Sequence, residues 1–308
     1  MGRAREIKKR RARERETDRQ TARRKRCAES PRIAAKEVDK VRQRQQQQRS
    51  ALDMSGDTSF VRTTGRALDK PWHRTFIKQR PRLSAGQKRA LREYWRDFGL
   101  EFRFGDARLD VNDVYGADGA SDVDGGGSDA RSERKRKFVL ELGFGLGESM
   151  VASARTRPEV AYLGVEVHKP GVATALNLIA QENLTNVRVV SMDGLWMLRD
   201  FIQPASVDEC CVYFPDPWRG ENKAKRRLVN DLLLEVLELA MVRGGRLNIT
   251  SDDAEYQQHV VDVMARHTET WTPTDEMFDR FDSKYARKAV EEGRIIRDFA
   301  FVYSPVRA

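Results

Sequence analysis

From residue 138 to residue 267 the chain repeats one alternation: a short, almost wholly apolar run, then a longer stretch in which apolar residues recur every three or four places. The runs FVLELG, AYLGVEV, NVRVVSMD, DECCVYFP and GGRLNIT have the length and β-branched content of strands covered on both faces. LGESMVASART, PGVATALNLIAQEN, GLWMLRDFI, KAKRRLVNDLLLEVLELAMV and DAEYQQHVVDVMARH carry the helical rhythm between and after them. Such regular succession predicts an α/β, Rossmann-like fold over 138–308: an open, mostly parallel sheet with helices on both faces. Upstream, RLSAGQKRALREYWRDFGLEF predicts a helix capped by Ser84, with Gln87 at the capping-box spacing, Ala90, Leu91, Tyr94 and Trp95 on one face, and Gly99 at its end. Residues 51–105 are therefore expected to form a helical segment packing on the main domain. Residues 106–137, rich in Gly, Asp and Ser, read as a flexible loop or insertion. Asp122, Asp124, Gly127 and Glu133 match a calcium-loop spacing loosely, but Gly126 stands where a ligand is needed, which favours a solvated loop.

Ligands in such sheets bind beyond the carboxyl ends of the strands, so polar residues there call for explanation. The first strand runs into ELGFGLGES, placing Gly143, Gly145 and Gly147 at the turn, where a ligand can approach bare backbone and the helix start offers its N–H groups. Glu141 faces that turn. The second strand ends in Glu166, 19 residues after Gly147, about where a carboxylate meets ribose hydroxyls in dinucleotide folds. The third ends in Asp193, placed to accept from an adenine amino group, and the fourth in Asp216. Any one of these could be a helix N-cap. Together they fit two cofactors, a nicotinamide dinucleotide or S-adenosylmethionine. The GxGxG spacing and acidic Glu141 disfavour a pyrophosphate and favour a ligand with an ammonium and a sulfonium.

Charge adds an appendage to this picture. The net charge is +10, yet residues 1–50 hold 19 Lys/Arg against 7 Asp/Glu, while residues 51–308 hold 38 against 40. With almost no long apolar residues, the first 50 positions cannot offset their ordering entropy and read as a disordered tail. A nucleic-acid-binding arm is favoured over a sorting signal, since transit peptides are poor in acidic residues. No apolar run approaches a membrane span. Cys27, Cys210 and Cys211 show no disulfide or metal spacing, the adjacent pair sits inside an expected strand, and the four histidines are scattered, so a cytoplasmic protein without a metal site is expected.

The segments LELGFGLGES, YLGVEVHKPGV, FPDPW followed by KRRL, and SDDAEY together resemble the tRNA (guanine-N7)-methyltransferase family, over roughly residues 72–303. The resemblance implies a class I S-adenosylmethionine-dependent fold and methylation of a guanine in the tRNA variable loop. It implies cofactor contacts from Glu141, Gly143, Gly145, Gly147, Glu166, Asp193 and Asp216, with Asp216 also catalytic. On the tRNA side it implies Trp218, Arg219, Lys225, Arg226, Arg227, Asp252, Ser283, Lys284 and Tyr285. The chain departs from the family at Gly220, where a substrate-binding lysine is expected, and at Ala286, where a glutamate is expected. Both departures lie on the substrate side, so a noncatalytic RNA-binding or partner-stabilising role is the alternative, with an NAD-dependent oxidoreductase behind it. Neither a partner subunit nor a choice between monomer and homodimer is read from the sequence.

Overall fold

The structure, a computed structural model, describes residues 74–76, 82–116, 136–276 and 280–305. The basic tail and the calcium-like stretch lie outside these residues. In chain order the elements are α1 (Ala85–Phe98), β1 (Gly99–Leu100), α2 (Val111–Tyr115), β2 (Phe138–Leu142), α3 (Glu148–Thr156), β3 (Ala161–Val165), α4 (Lys169–Gln181) and β4 (Val187–Val190). They continue with α5 (Gly194–Trp196), a π-helical turn (Met197–Phe201), β5 (Val207–Tyr213), α6 (Glu221–Ala224), α7 (Asp231–Ala240), β6 (Met241–Ser251), α8 (Ala254–Met264), β7 (Trp271–Pro273), α9 (Lys284–Glu291) and β8 (Arg297–Tyr303).

All eight strands join one sheet in the order β1-β4-β3-β2-β5-β6-β8-β7, parallel from β1 through β6 and antiparallel for β8 and β7. Strand order reverses between β2 and β5, so the crevice at their carboxyl ends is the place where this topology admits a ligand. Alternation along each strand divides the core. Phe138, Leu140 and Leu142 of β2, with Ala161, Leu163 and Val165 of β3, pack towards α2, α7 and α8. Val139, Tyr162, Val187 and Val189 pack on the other face against α1, α3 and α4. This two-faced burial is what the continuous apolar runs require.

Two sequence expectations change at their edges. Residues 106–116, expected as the start of a loop, are part of the folded domain: Leu109, Val111, Val114 and Tyr115 are buried and Asp110 caps α2 through the Asn112 and Asp113 amides. The long helix expected over 223–242 is instead two helices and the start of β6: Asn230 accepts from the Leu233 amide and begins α7 afresh, and the backbone turns extended at Met241. Ser84 and Gln87 form the capping box expected of α1. Gly99 ends that helix in an extended conformation rather than a left-handed one; a Cβ there would lie 2.4 Å from the Trp95 ring.

Candidate active site

The β2–α3 turn is built by its glycines. Gly143, Gly145 and Gly147 have φ of 73°, 60° and 81°, where a side chain is strained. Close packing adds a second reason: a Cβ on Gly147 would lie 2.6 Å from that of Ala175, and one on Gly171 of α4 would lie 2.1 Å from the Gly145 carbonyl oxygen. Glu166 fastens the turn from β3, accepting from the Gly145 amide at 2.9 Å and from the His168 amide at 2.8 Å. Burial pushes the Glu166 carboxyl up, against the pull of those N–H donors.

Beside it Glu141 is 6 % exposed, and burial first, then the nearby Glu166, pushes its carboxyl up to about 8. It is a buried acid lining a cleft. The cleft is lined by Glu141, Gly143, Phe144, Tyr213, Phe214 and Arg280, with Ser283 and Tyr285 closing it from the C-terminal side. Tyr285 lies against the glycine turn, 3.0 Å from where a Gly145 Cβ would stand, and its ring stacks on Phe214 with centroids 6.3 Å apart. Its phenol is pushed up by burial and then by the charges of Glu166 and Asp216. Ser283 caps α9 by accepting from the Ala286 amide, while the Lys284 amide and the Arg287 guanidinium both bind Glu148 at the start of α3. The α9 segment is thus tied across the glycine turn.

Asp193 accepts from the Leu195 and Trp196 amides, both on Oδ1, so the N-cap role open to any strand-end carboxylate is realised here. Burial raises its carboxyl, opposed by those two amides and by Arg74 and Arg199.

Beyond β5, Phe214 and Trp218 both take positive φ, 49° and 42°, on either side of Pro215-Asp216-Pro217. Each such non-glycine residue costs on the order of 1–3 kcal/mol and persists where surroundings hold it. Here the hold is visible: the Trp218 indole N–H donates to the Thr75 carbonyl at 2.9 Å, and the Arg226 guanidinium lies 3.6 Å from the Trp218 ring centre. Arg226 also donates to the carbonyls of Arg74 and Phe76, at 2.9 and 2.8 Å. A strap of residues 74–76 therefore clamps the turn that presents Asp216. The Asp216 carboxyl, open to solvent on one edge, is still pushed up by surrounding protein, with Arg226 opposing.

The remaining residues expected on the tRNA side are dispersed among partners. Arg219 pairs with Asp253 at 2.7 Å, and Asp252 pairs with Arg294. Arg227 is 4 % exposed and spends its guanidinium on the Pro217 carbonyl and on Glu255, so here it offers no open face to a phosphate. Lys225 and Lys284 are exposed. Gly220, at the family's lysine position, has φ of 86°, a conformation that a lysine would adopt only with strain. Sequence reasoning missed Arg280, Arg294, Glu148 and the strap; Glu148 closes the glycine motif itself, next to Gly147, whereas the others reach the site only through the fold.

A glycine turn at the switch point, buried carboxylates along it and a carboxylate-bearing rigid turn opposite define a methyltransferase that uses S-adenosylmethionine. A family model described as "Putative methyltransferase" matches residues 135–298. The tRNA (guanine-N(7)-)-methyltransferase of Alkalilimnicola ehrlichii is 32% identical over 236 residues, 74% of this chain and 91% of that one. That of Stutzerimonas stutzeri is 35% identical over 191 residues, 62% of this chain and 72% of that one. The chain belongs to the tRNA (guanine-N7)-methyltransferase family. A solved structure described as an antibiotic related methyltransferase aligns at 17% identity with a TM-score of 0.42, over 64% of this chain and 95% of that one, too low to bear on function. Among the described residues no helix is long and apolar enough to cross a membrane, and no cluster of three or more His, Cys, Asp or Glu could hold a metal ion.

Proposed function

We propose that this chain transfers a methyl group to N7 of a guanine in the variable loop of tRNA, with Asp216 as the residue that meets the base. The observation that carries the reading is the clamped FPDPW turn, which presents Asp216 two residues after Phe214, a residue that lines the glycine cleft. S-adenosylmethionine, when bound, supplies an electrophilic methyl on a sulfonium. Glu141 suits its ammonium, Glu166 its ribose hydroxyls and Asp193 its adenine, while Gly143, Gly145 and Gly147 admit it against the backbone.

Guanine N7 carries an in-plane lone pair and no proton, so transfer needs no general base. The N7–carbon bond forms as the carbon–sulfur bond breaks, leaving the thioether and a positively charged ring. Asp216 holds the guanine edge through its N–H donors and stabilises that charge as it arrives. Once the bound base covers Asp216, both interactions are stronger than in open water. Trp218, fixed by Thr75 and Arg226, limits where the base can lie, and exposed Lys225 and Lys284 suit phosphates. Arg219, Arg226, Arg227, Asp252, Ser283 and Tyr285 act through their protein partners to keep that surface in shape. The basic tail suits the tRNA backbone, and a cytoplasmic setting accompanies the substrate.

Incubating the purified chain with unmodified tRNA and labelled cofactor tests the reading. N7-methylguanosine in the variable loop is expected; label bound but never transferred would turn the chain into a cofactor-binding RNA partner instead.

A further inference from the structure

Arg280 is a charged residue of the cleft with no assigned task. It lies just before α9, its side chain is 18 % exposed, and it lines the same cleft as Glu141, Ser283 and Tyr285. Its guanidinium is fixed on two sides. The central carbon stands 5.4 Å from the Phe214 ring centre, and Nε donates to Asp298 Oδ1 at 3.2 Å. Asp298 is itself steadied by the Thr250 hydroxyl across the β6–β8 pairing.

The tether uses Nε and, among the described residues, leaves the two terminal amino groups of the fork, the pair that grips a carboxylate in a bidentate way. The other charges of the cleft narrow its use. Glu148 is committed to Arg287 and to the Lys284 amide, which leaves the acid Glu141 and the cation Arg280 to share one cavity. A ligand matching both must carry an ammonium and a carboxylate on the same short arm.

We propose that Arg280 binds the carboxylate of the cofactor's amino-acid end while Glu141 receives its ammonium. The inference rests on reading the cleft as the cofactor site. It makes Arg280 a specificity-determining residue: it separates ligands that keep the carboxylate from those that lack it. The C-terminal segment thereby becomes part of the cofactor pocket, held there by β8.

The test is calorimetry on the full chain with three probes: S-adenosylhomocysteine, its decarboxylated amine, and 5′-methylthioadenosine, which lacks the whole arm. Arg280→Gln is expected to weaken S-adenosylhomocysteine tenfold or more and to leave the other two within about twofold. Equal weakening of all three would show a structural role and overturn the proposal. So would unchanged cofactor affinity with weaker tRNA binding, which would assign the guanidinium to an RNA phosphate. If Arg280→Gln does not fold, Arg280→Lys carries the same comparison, with a smaller loss still confined to the carboxylate-bearing probe. Failure of the parent chain to bind any of the three would instead remove the cofactor reading itself.

Discussion

The two banks of the crevice are built differently. On the β2–β3 bank, Glu166 is held by amides 21 and two residues away, and the turn is shaped by glycines within five positions of each other. On the β5 bank, Trp218 depends on Thr75, 143 residues away, and Arg226 on carbonyls 150 and 152 residues away. One bank is assembled from neighbours in sequence, the other by distant segments brought across the top of the sheet. The glycine turn that admits an unvarying cofactor can be written locally, whereas a surface for a large substrate draws on whatever the fold brings to it.

The sharpest way to separate the banks is Asp216→Ala. Methyl transfer in single-turnover assays is expected to fall by a factor on the order of 10²–10³ or more, with cofactor binding weakened but measurable. Near-normal transfer would remove Asp216 from the chemistry. Gly171→Ala attacks the other bank: its new methyl meets the Gly145 carbonyl oxygen, so the glycine turn must shift. Cofactor affinity is expected to drop about tenfold or more by calorimetry, and tRNA affinity to change far less.

Glu141 gives a smaller, pH-dependent effect. Its carboxyl titrates near 8 in the folded chain against 4.5 as reference, facing Glu166, Tyr213 and the thiols of Cys210 and Cys211. The folded state therefore holds more protons than the unfolded state between those values, and stability declines as pH rises through that window. Glu141→Gln is expected to melt higher than the parent at pH 8, the difference vanishing towards pH 4.5. At pH 7 an arriving ammonium favours ionisation of Glu141, so calorimetry in buffers of different ionisation heat should show release of about one proton per cofactor, absent in the glutamine variant. The mildest probe is Arg226→Lys, which keeps the charge and loses the fork that joins two carbonyls and covers Trp218. A loss of about 1–2 kcal/mol in stability and a several-fold lower kcat at unchanged cofactor affinity are expected.

The same asymmetry decided what could be read from the sequence. The strands from β2 to β6, and the carboxylates at their ends, were visible because burial on both faces leaves unbroken apolar runs and because strand-end positions follow from them. The Ser84 cap was visible because a capping box is a local code. The break before α7 was not, since helical periodicity runs through Lys225–Asn230 while distant carbonyls and Glu255 claim the arginines there. Nor could spacing alone show that Arg227 would be buried, that Asp252 would meet Arg294, or that Arg280 would share a cavity with Glu141.

The insertion of β8 between β6 and β7 has a bearing on how the molecule is made. Domains take shape as the chain leaves the ribosome, N-terminal parts first. The glycine turn and its Glu166 fastening are complete once β3 and α4 have emerged, but Arg280, Ser283, Tyr285 and the Asp298 tether arrive only after β7. A nascent chain halted short of β8 would own half a binding site. Competence for both ligands is thus conferred together, when β8 pairs with β6 and carries β7 onto the edge of the sheet.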